Sequence, residues 1–268
     1  MRTAGVLYWQ LNDVWQGPSW STIEYSGTWK ATHYTVKRAY SPHVVTALPS
    51  NCSSSLPTLG SVPRPCVAVS PTAATTVQFY TTLDGNHSGG MSKVIVELWA
   101  WTAGRKNKVA GASAGPLHSW GFSKALSKQE SVLAGYESVE TLLQGHSAAD
   151  VFLRIREANP ALPTAPDTFH FFSEIKDANM APTTARITEV KLNASDTFSA
   201  TVTVQTDSVE AFLCVDLTST DIVGFFDDNN FMMLPGERVL TFTSREPLSS
   251  VQELQNALVI RTVNNIAK

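Results

Sequence analysis

Five side chains suited to gripping a ligand fall between residues 9 and 20 of this 268-residue chain, in the stretch GVLYWQLNDVWQGPSW. Asn12 and Asp13 offer hydrogen bonds, while Trp9, Trp15 and Trp20 offer flat apolar faces. Leu7, Trp9 and Leu11 alternate with Val6, Tyr8 and Gln10, which predicts a strand that delivers this cluster at its carboxyl end. That is the position of a substrate-binding βα loop in a (β/α)₈ barrel. The competing expectation is that the tryptophans are core between neighbouring domains and that Asp13 is a structural hydrogen-bond acceptor.

The element after the cluster supports a βα unit. Gly17-Pro18 and Ser26-Gly27 read as turns and Thr28 as an N-cap. Trp29, His33, Val36 and Tyr40 then recur at helical spacing, Lys37 and Arg38 favour the carboxyl end, and Ser41-Pro42 stops the helix. Residues 1–41 are therefore expected to be one βα unit of such a barrel. One such unit cannot stand alone, because both strand edges would be unpaired and the helix stripe buries too little to offset ordering entropy.

From Val44 onward the pattern turns to β. Runs at Val44–Leu48, Val67–Val69, Thr76–Tyr80, Val94–Trp101, Val151–Ile155 and Thr168–Phe172 are separated by Gly, Pro, Ser and Asn. Only Glu137–Gln144 looks helical there. After a boundary at Ala181–Thr184, strands are expected at Arg186–Leu192, Glu210–Leu217, Arg238–Thr243 and Leu258–Val263. Between the first two, Phe198, Ala200, Val202 and Val204 alternate with polar neighbours. The expected fold is mainly β: the barrel unit, 1–41, then immunoglobulin-like sandwiches over 42–183 and 184–268.

Composition narrows the function classes. A formal charge of −3 without a clustered basic face speaks against nucleic acid, and Arg105, Lys106 and Lys108 read as a solvated turn. No apolar run approaches the roughly 20 residues of a membrane span, so a soluble chain is expected. The histidines are scattered and no cysteine spacing suits zinc, so neither metal nor cofactor is expected. Gly145-His146-Ser147 imitates a nucleophile elbow but lacks its final glycine, and Trp99, Trp101 and Trp120 are expected in a sandwich core.

Three N-x-[ST] sequons, at Asn51, Asn86 and Asn193, are glycosylation candidates. Cys52 and Cys66 are close enough in sequence to form a disulfide, and Cys214 reads as a buried free thiol. Both features point to an oxidising compartment, although Met1-Arg2-Thr3 is expected to run straight into the first strand and does not read as a leader.

The residues also carry a resemblance. GVLYWQLNDVWQGPSWSTIEYSGTWKATHY looks like the last barrel strand, loop and helix of the β-mannosidases that group with β-galactosidases and β-glucuronidases. FHFFSEIKDANM, residues 169–180, resembles their link between terminal sandwiches, and DDNNFMMLPGERVLTFTS, residues 227–244, their terminal immunoglobulin-like domain. The resemblance implies the carboxyl-terminal part of a retaining exo-β-mannosidase of the secretory, lysosomal or vacuolar route, acting on terminal β-mannose of oligosaccharides. Retention needs two carboxyl groups about 5 Å apart, and the family's two glutamates would lie in barrel strands missing from this chain. No catalytic residue is therefore assigned here; an Asp13–Glu24 pair is disfavoured because the family gives Glu24 no chemistry. Trp9 is placed under the sugar, with Asn12, Asp13 and Trp15 beside it and Trp20 as a further wall. The β-mannoside and the missing amino-terminal barrel would be the partners. The alternative is a non-catalytic immunoglobulin-like module that binds glycan or protein.

Overall fold

The computed structural model describes residues 6–51, 67–68, 71–104, 115–219 and 221–265. Cys52, Cys66, Arg105, Lys106 and Lys108 lie outside them. The chain divides into one unit made of residues 1–39 with 182–268 and a second made of residues 40–181.

The opening strand is not formed. Residues 6–30 make only isolated bridges, Asn12 with Ile23 and Ile23 with Trp29. Alternation favours a strand only where a partner strand takes its hydrogen bonds, and no described strand lies beside Leu7, which is 98% exposed. Helix α1, Ala31–Ala39, begins three residues beyond the expected cap at Thr28. Its buried side chain is Tyr34 rather than the Val36 and Tyr40 of the expected stripe.

The second unit is a sandwich of two antiparallel sheets. Its strands are β1 (His43–Asn51), β2 (Val67–Ala68), β3 (Thr76–Leu83), β4 (Gly90–Ala100), β5 (His118–Leu126), β6 (Glu130–Ser138), β7 (Val151–Glu157) and β8 (Thr168–Phe171). One sheet runs β2-β1-β3-β6 and the other β5-β4-β7-β8, so the chain crosses between sheets after β3, β5 and β6. Val45, Val77 and Phe79 of the first sheet meet Val94, Val96, Leu98, Leu153 and Ile155 of the second. Burial of such residues supplies about 25 cal/mol per Å² of apolar surface, the driving term for closing the two faces.

Trp99 and Trp101 are buried, and Trp101 packs on Phe152 and Phe171. The expected helix at Glu137–Gln144 shortens to α2, Val139–Leu143, because β6 continues through Ser138, whose hydroxyl caps the helix by accepting from Thr141 N.

The first unit continues with β9 (Arg186–Asn193), β10 (Asp196–Thr206), β11 (Glu210–Leu217), β12 (Gly224–Phe226), β13 (Phe231–Met233), β14 (Gly236–Ser244), α3 (Val251–Ala257) and β15 (Leu258–Arg261). Its sheets run β12-β14-β10-β9 and β13-β11-β15. Ala200, Val202, Val204, Leu213, Leu240 and Phe242 are fully buried between them. Phe198, expected on the same face, is 41% exposed because the β9–β10 register shifts between Asp196 and Ala200, rotating it off the core. Tyr34 of α1 joins this core, so α1 is folded into the terminal sandwich rather than standing apart.

Candidate functional site

The candidate segment is built with its polar groups inside. Asp13 is 8% exposed, and its carboxylate accepts from the Ser19 hydroxyl and, at 3.2 Å, from Lys30 Nζ. Lys30 Nζ also donates to Ser21 Oγ at 2.9 Å, so one ammonium ties together three parts of the loop. The Ser19 bond first, with Ser21 and Lys30 beside it, holds the Asp13 carboxyl below the ordinary range against the opposing effect of burial. A carboxylate pinned as an anion in this way is a weak base and has no proton to give. It can orient a neighbour.

A second set of bonds closes the loop. Thr22 N donates to the carbonyls of Gln10 and Leu11, Ile23 N to Leu11 O, and Asp13 N to Ile23 O at 2.9 Å. Thr22 Oγ1 donates to Leu11 O at 3.0 Å and lies 2.8 Å from His33 Nδ1. The hydroxyl proton being committed to Leu11, His33 Nδ1–H must be the donor in the second contact. Burial first and then Lys37 hold the imidazole below its ordinary value, which keeps it neutral in this role.

The aromatic residues point the other way. Trp9 is 79%, Trp15 60% and Trp20 82% exposed, with Leu7, Leu11 and Val14 also open to solvent. Trp15 lies across Gly17, where an added Cβ would fall 2.1 Å from the indole ring. Gly17 thus leaves room for the ring as well as turning the backbone. Asn12 is exposed, its Nδ2 donating to Asp13 O at 3.1 Å. Asp13, Gly17, Pro18, Glu24, Tyr25 and Lys30 line a shallow cleft of about 390 Å³.

The structure therefore brings Asn12 and Asp13 together with Trp15 close by, and leaves Trp9 and Trp20 projecting. Expectation from sequence missed Ser19, Ser21 and Lys30. They lie six to seventeen residues from Asp13 and follow no motif. The sequon asparagines Asn51, Asn86 and Asn193 are all exposed. Cys214 is half-buried and free, and burial pushes its thiol up to about 11. Among the described residues no cluster of His, Cys, Asp and Glu could hold a metal ion, and no helix is long and apolar enough to cross a membrane.

A family model for the Ig-fold domain of mannosidases, Ig_mannosidase, matches residues 176–266. The β-mannosidase of Rattus norvegicus is 26% identical over 98% of this chain and 26% of its own length. β-Mannosidase A of Aspergillus oryzae is 26% identical over 96% of this chain and 25% of its own. Over nearly its whole length the chain is similar to β-mannosidases. It spans about a quarter of the length of these curated β-mannosidases. β-Mannosidase A of Emericella nidulans is 54% identical over a 44-residue stretch. The crystal structure of the β-D-mannosidase from Dictyoglomus thermophilum matches with a TM-score of 0.63 and 16% identity over 95% of this chain, a likeness of fold.

Proposed function

We propose that the chain is the carboxyl-terminal part of a retaining exo-β-mannosidase, in which residues 6–25 complete one wall of the mannose subsite. The observation that carries this is the segment's orientation: a hydrogen-bonded polar base under Asp13, and Trp9, Trp15 and Trp20 facing outward. An indole face suits the apolar face of a pyranose, and a rigid base keeps it in place. Trp9 is the platform, Asn12 a hydrogen-bond donor to sugar hydroxyls, and Asp13 the anion that fixes the loop. The acid/base and nucleophile are two glutamates outside these 268 residues, supplied by the barrel portion that also covers Leu7, Leu11 and Val14.

The purified chain alone is expected to leave a chromogenic β-mannoside unhydrolysed. In an intact enzyme that contains this segment, Trp9→Ala is expected to lower kcat/KM by about 1–3 kcal/mol of transition-state binding. Turnover by the isolated chain would place the catalytic pair within it, and an unchanged kcat/KM for Trp9→Ala would remove Trp9 from the subsite. Saturable mannoside binding by the chain with no loss on Trp9→Ala would favour a separate glycan-binding module. Passage through the secretory, lysosomal or vacuolar route belongs to the same proposal. It is checked by a mass shift on enzymatic deglycosylation of the native protein, lost in turn from Asn51→Gln, Asn86→Gln and Asn193→Gln variants.

A further inference from the structure

The polar base of the loop is continuous with the terminal sandwich through the hexapeptide Phe225-Phe226-Asp227-Asp228-Asn229-Asn230. Arg38 Nη1 donates to Asp228 Oδ1 at 2.6 Å and Asn229 O at 3.0 Å, and Nη2 donates to Asn230 O at 2.7 Å. Tyr34 Oη accepts from Phe226 N at 3.1 Å, Trp29 stacks on Phe225 at 4.2 Å, and Asn230 Nδ2 donates to Ala31 O at 3.3 Å. Every turn of α1 is held by this one stretch.

The stretch is itself fixed from below. Asp227 Oδ1 accepts from Thr241 N of β14, and the Asn229 side chain exchanges two hydrogen bonds with the backbone of Val215 in β11. The second oxygen of Asp228 accepts from Arg238 at 2.6 Å, and that guanidinium lies over Phe231 at 3.9 Å. A carboxylate between two arginines, flanked by residues whose side chains are bonded to both sheets, is a preformed socket. From its far side, Trp29 meets His33 at 4.4 Å, His33 bonds Thr22, and Lys30 bonds Asp13 and Ser21. Contacts run unbroken from the sheets to the cleft.

We infer that the Asp227–Asn230 socket, with Arg38 as its ligand, sets the position of the 6–30 loop, making Arg38 and Asp228 positioning residues for whatever that loop binds. The inference rests on the proposed subsite role for its meaning, but the placement itself is independent of substrate. The terminal sandwich thereby holds the aromatic loop at a fixed height from a distance.

Amide hydrogen exchange on the full chain tests it, together with the fluorine spectrum of chain labelled with 5-fluorotryptophan. Arg38→Met is expected to speed exchange about tenfold or more across α1 and, in step, at the amides of Asp13, Thr22, Ile23 and Lys30. The Trp15 resonance is expected to shift while β10, β11 and β14 keep their protection. Asp228→Asn, which keeps an acceptor for Arg38, is expected to retain more loop protection than Asp228→Ala. Faster exchange in α1 with unchanged loop amides and an unchanged Trp15 line would overturn the inference. Should Arg38→Met also loosen the sheets, Asn230→Ala, which removes the side-chain bond to Ala31 O, decides on the same readouts. No sugar or turnover enters, so this result and a failure of the β-mannosidase proposal are distinguishable.

Discussion

Residues 6–25 and the sandwich they are tied to invert each other. In the sandwich Val202, Val204, Leu213 and Phe242 are fully buried, whereas in the segment Leu7, Trp9 and Trp20 are almost wholly open. Its buried side chains are Asp13, Ser21 and Thr22. Apolar burial drives folding of the sandwich, while the segment is ordered by hydrogen bonds around an ion pair whose net stabilisation is modest. A segment made this way does not fold for its own sake. Under the proposed subsite role, it holds apolar side chains ready for something outside it.

Truncating the two regions sharpens this contrast. Phe242→Ala is expected to destabilise the unit containing 182–268 by about 3–5 kcal/mol in urea unfolding, since no side chain collapses into the space left between two sheets. A cost below that of an ordinary surface change would mean that the core is not what closes this unit.

Buried polar groups separate the two regions further. Asp13 is fully engaged, while His170, on β8 of the other unit, has a buried Nε2 with no hydrogen-bond partner among the described residues. Burial pulls its imidazole down to about 4. The folded state therefore stays neutral while the unfolded chain takes a proton below about pH 6.5. Stability falls as pH drops from about 6.5 toward 4, by up to about 3 kcal/mol, and is recovered above 6.5. His170→Phe is expected to flatten that acid limb in unfolding of residues 40–181, and an unchanged pH profile would locate the acid sensitivity elsewhere. The smallest effect belongs to Trp20→Ser, expected to shift the stability of the isolated chain by less than about 0.5 kcal/mol despite removing a large side chain. A loss on the scale of Phe242→Ala would show that the indole is packed after all.

These differences also explain what is legible in the sequence. Glu210–Leu217 and the inward run Ala200, Val202 and Val204 can be read directly, because β-branched residues at period two mark a face that the chain itself buries. Strands β5 and β6, HSWGFSKAL and ESVLAGYES, do not stand out, since serine, glycine and lysine dilute the alternation on an exposed outer face. Helix α3 is marked by Ser250-Val251-Gln252-Glu253, where the serine hydroxyl does accept from Glu253 N, yet four residues weigh little against a strand pattern on either side. The opening strand is the reverse error. Leu7, Trp9 and Leu11 alternate as well as any strand in the molecule, and alternation carries no information about whether a neighbour exists to pair with. The Lys30–Asp13 pair has no signature in the one-dimensional pattern, being a product of how the turns at Gly17 and Gly27 fold back.

The first unit is interrupted in sequence: α1 ends at Ala39 and the residues that receive it begin at Phe225. On a ribosome adding about 5–20 residues per second, the tryptophan-bearing loop waits on the order of 10–40 s before its socket is synthesised. Throughout that interval the intervening unit emerges and can fold, while residues 6–30 lack the socket that holds them. Slow codons placed between Ala39 and Phe225 would therefore lengthen the time for which the loop is without its anchor.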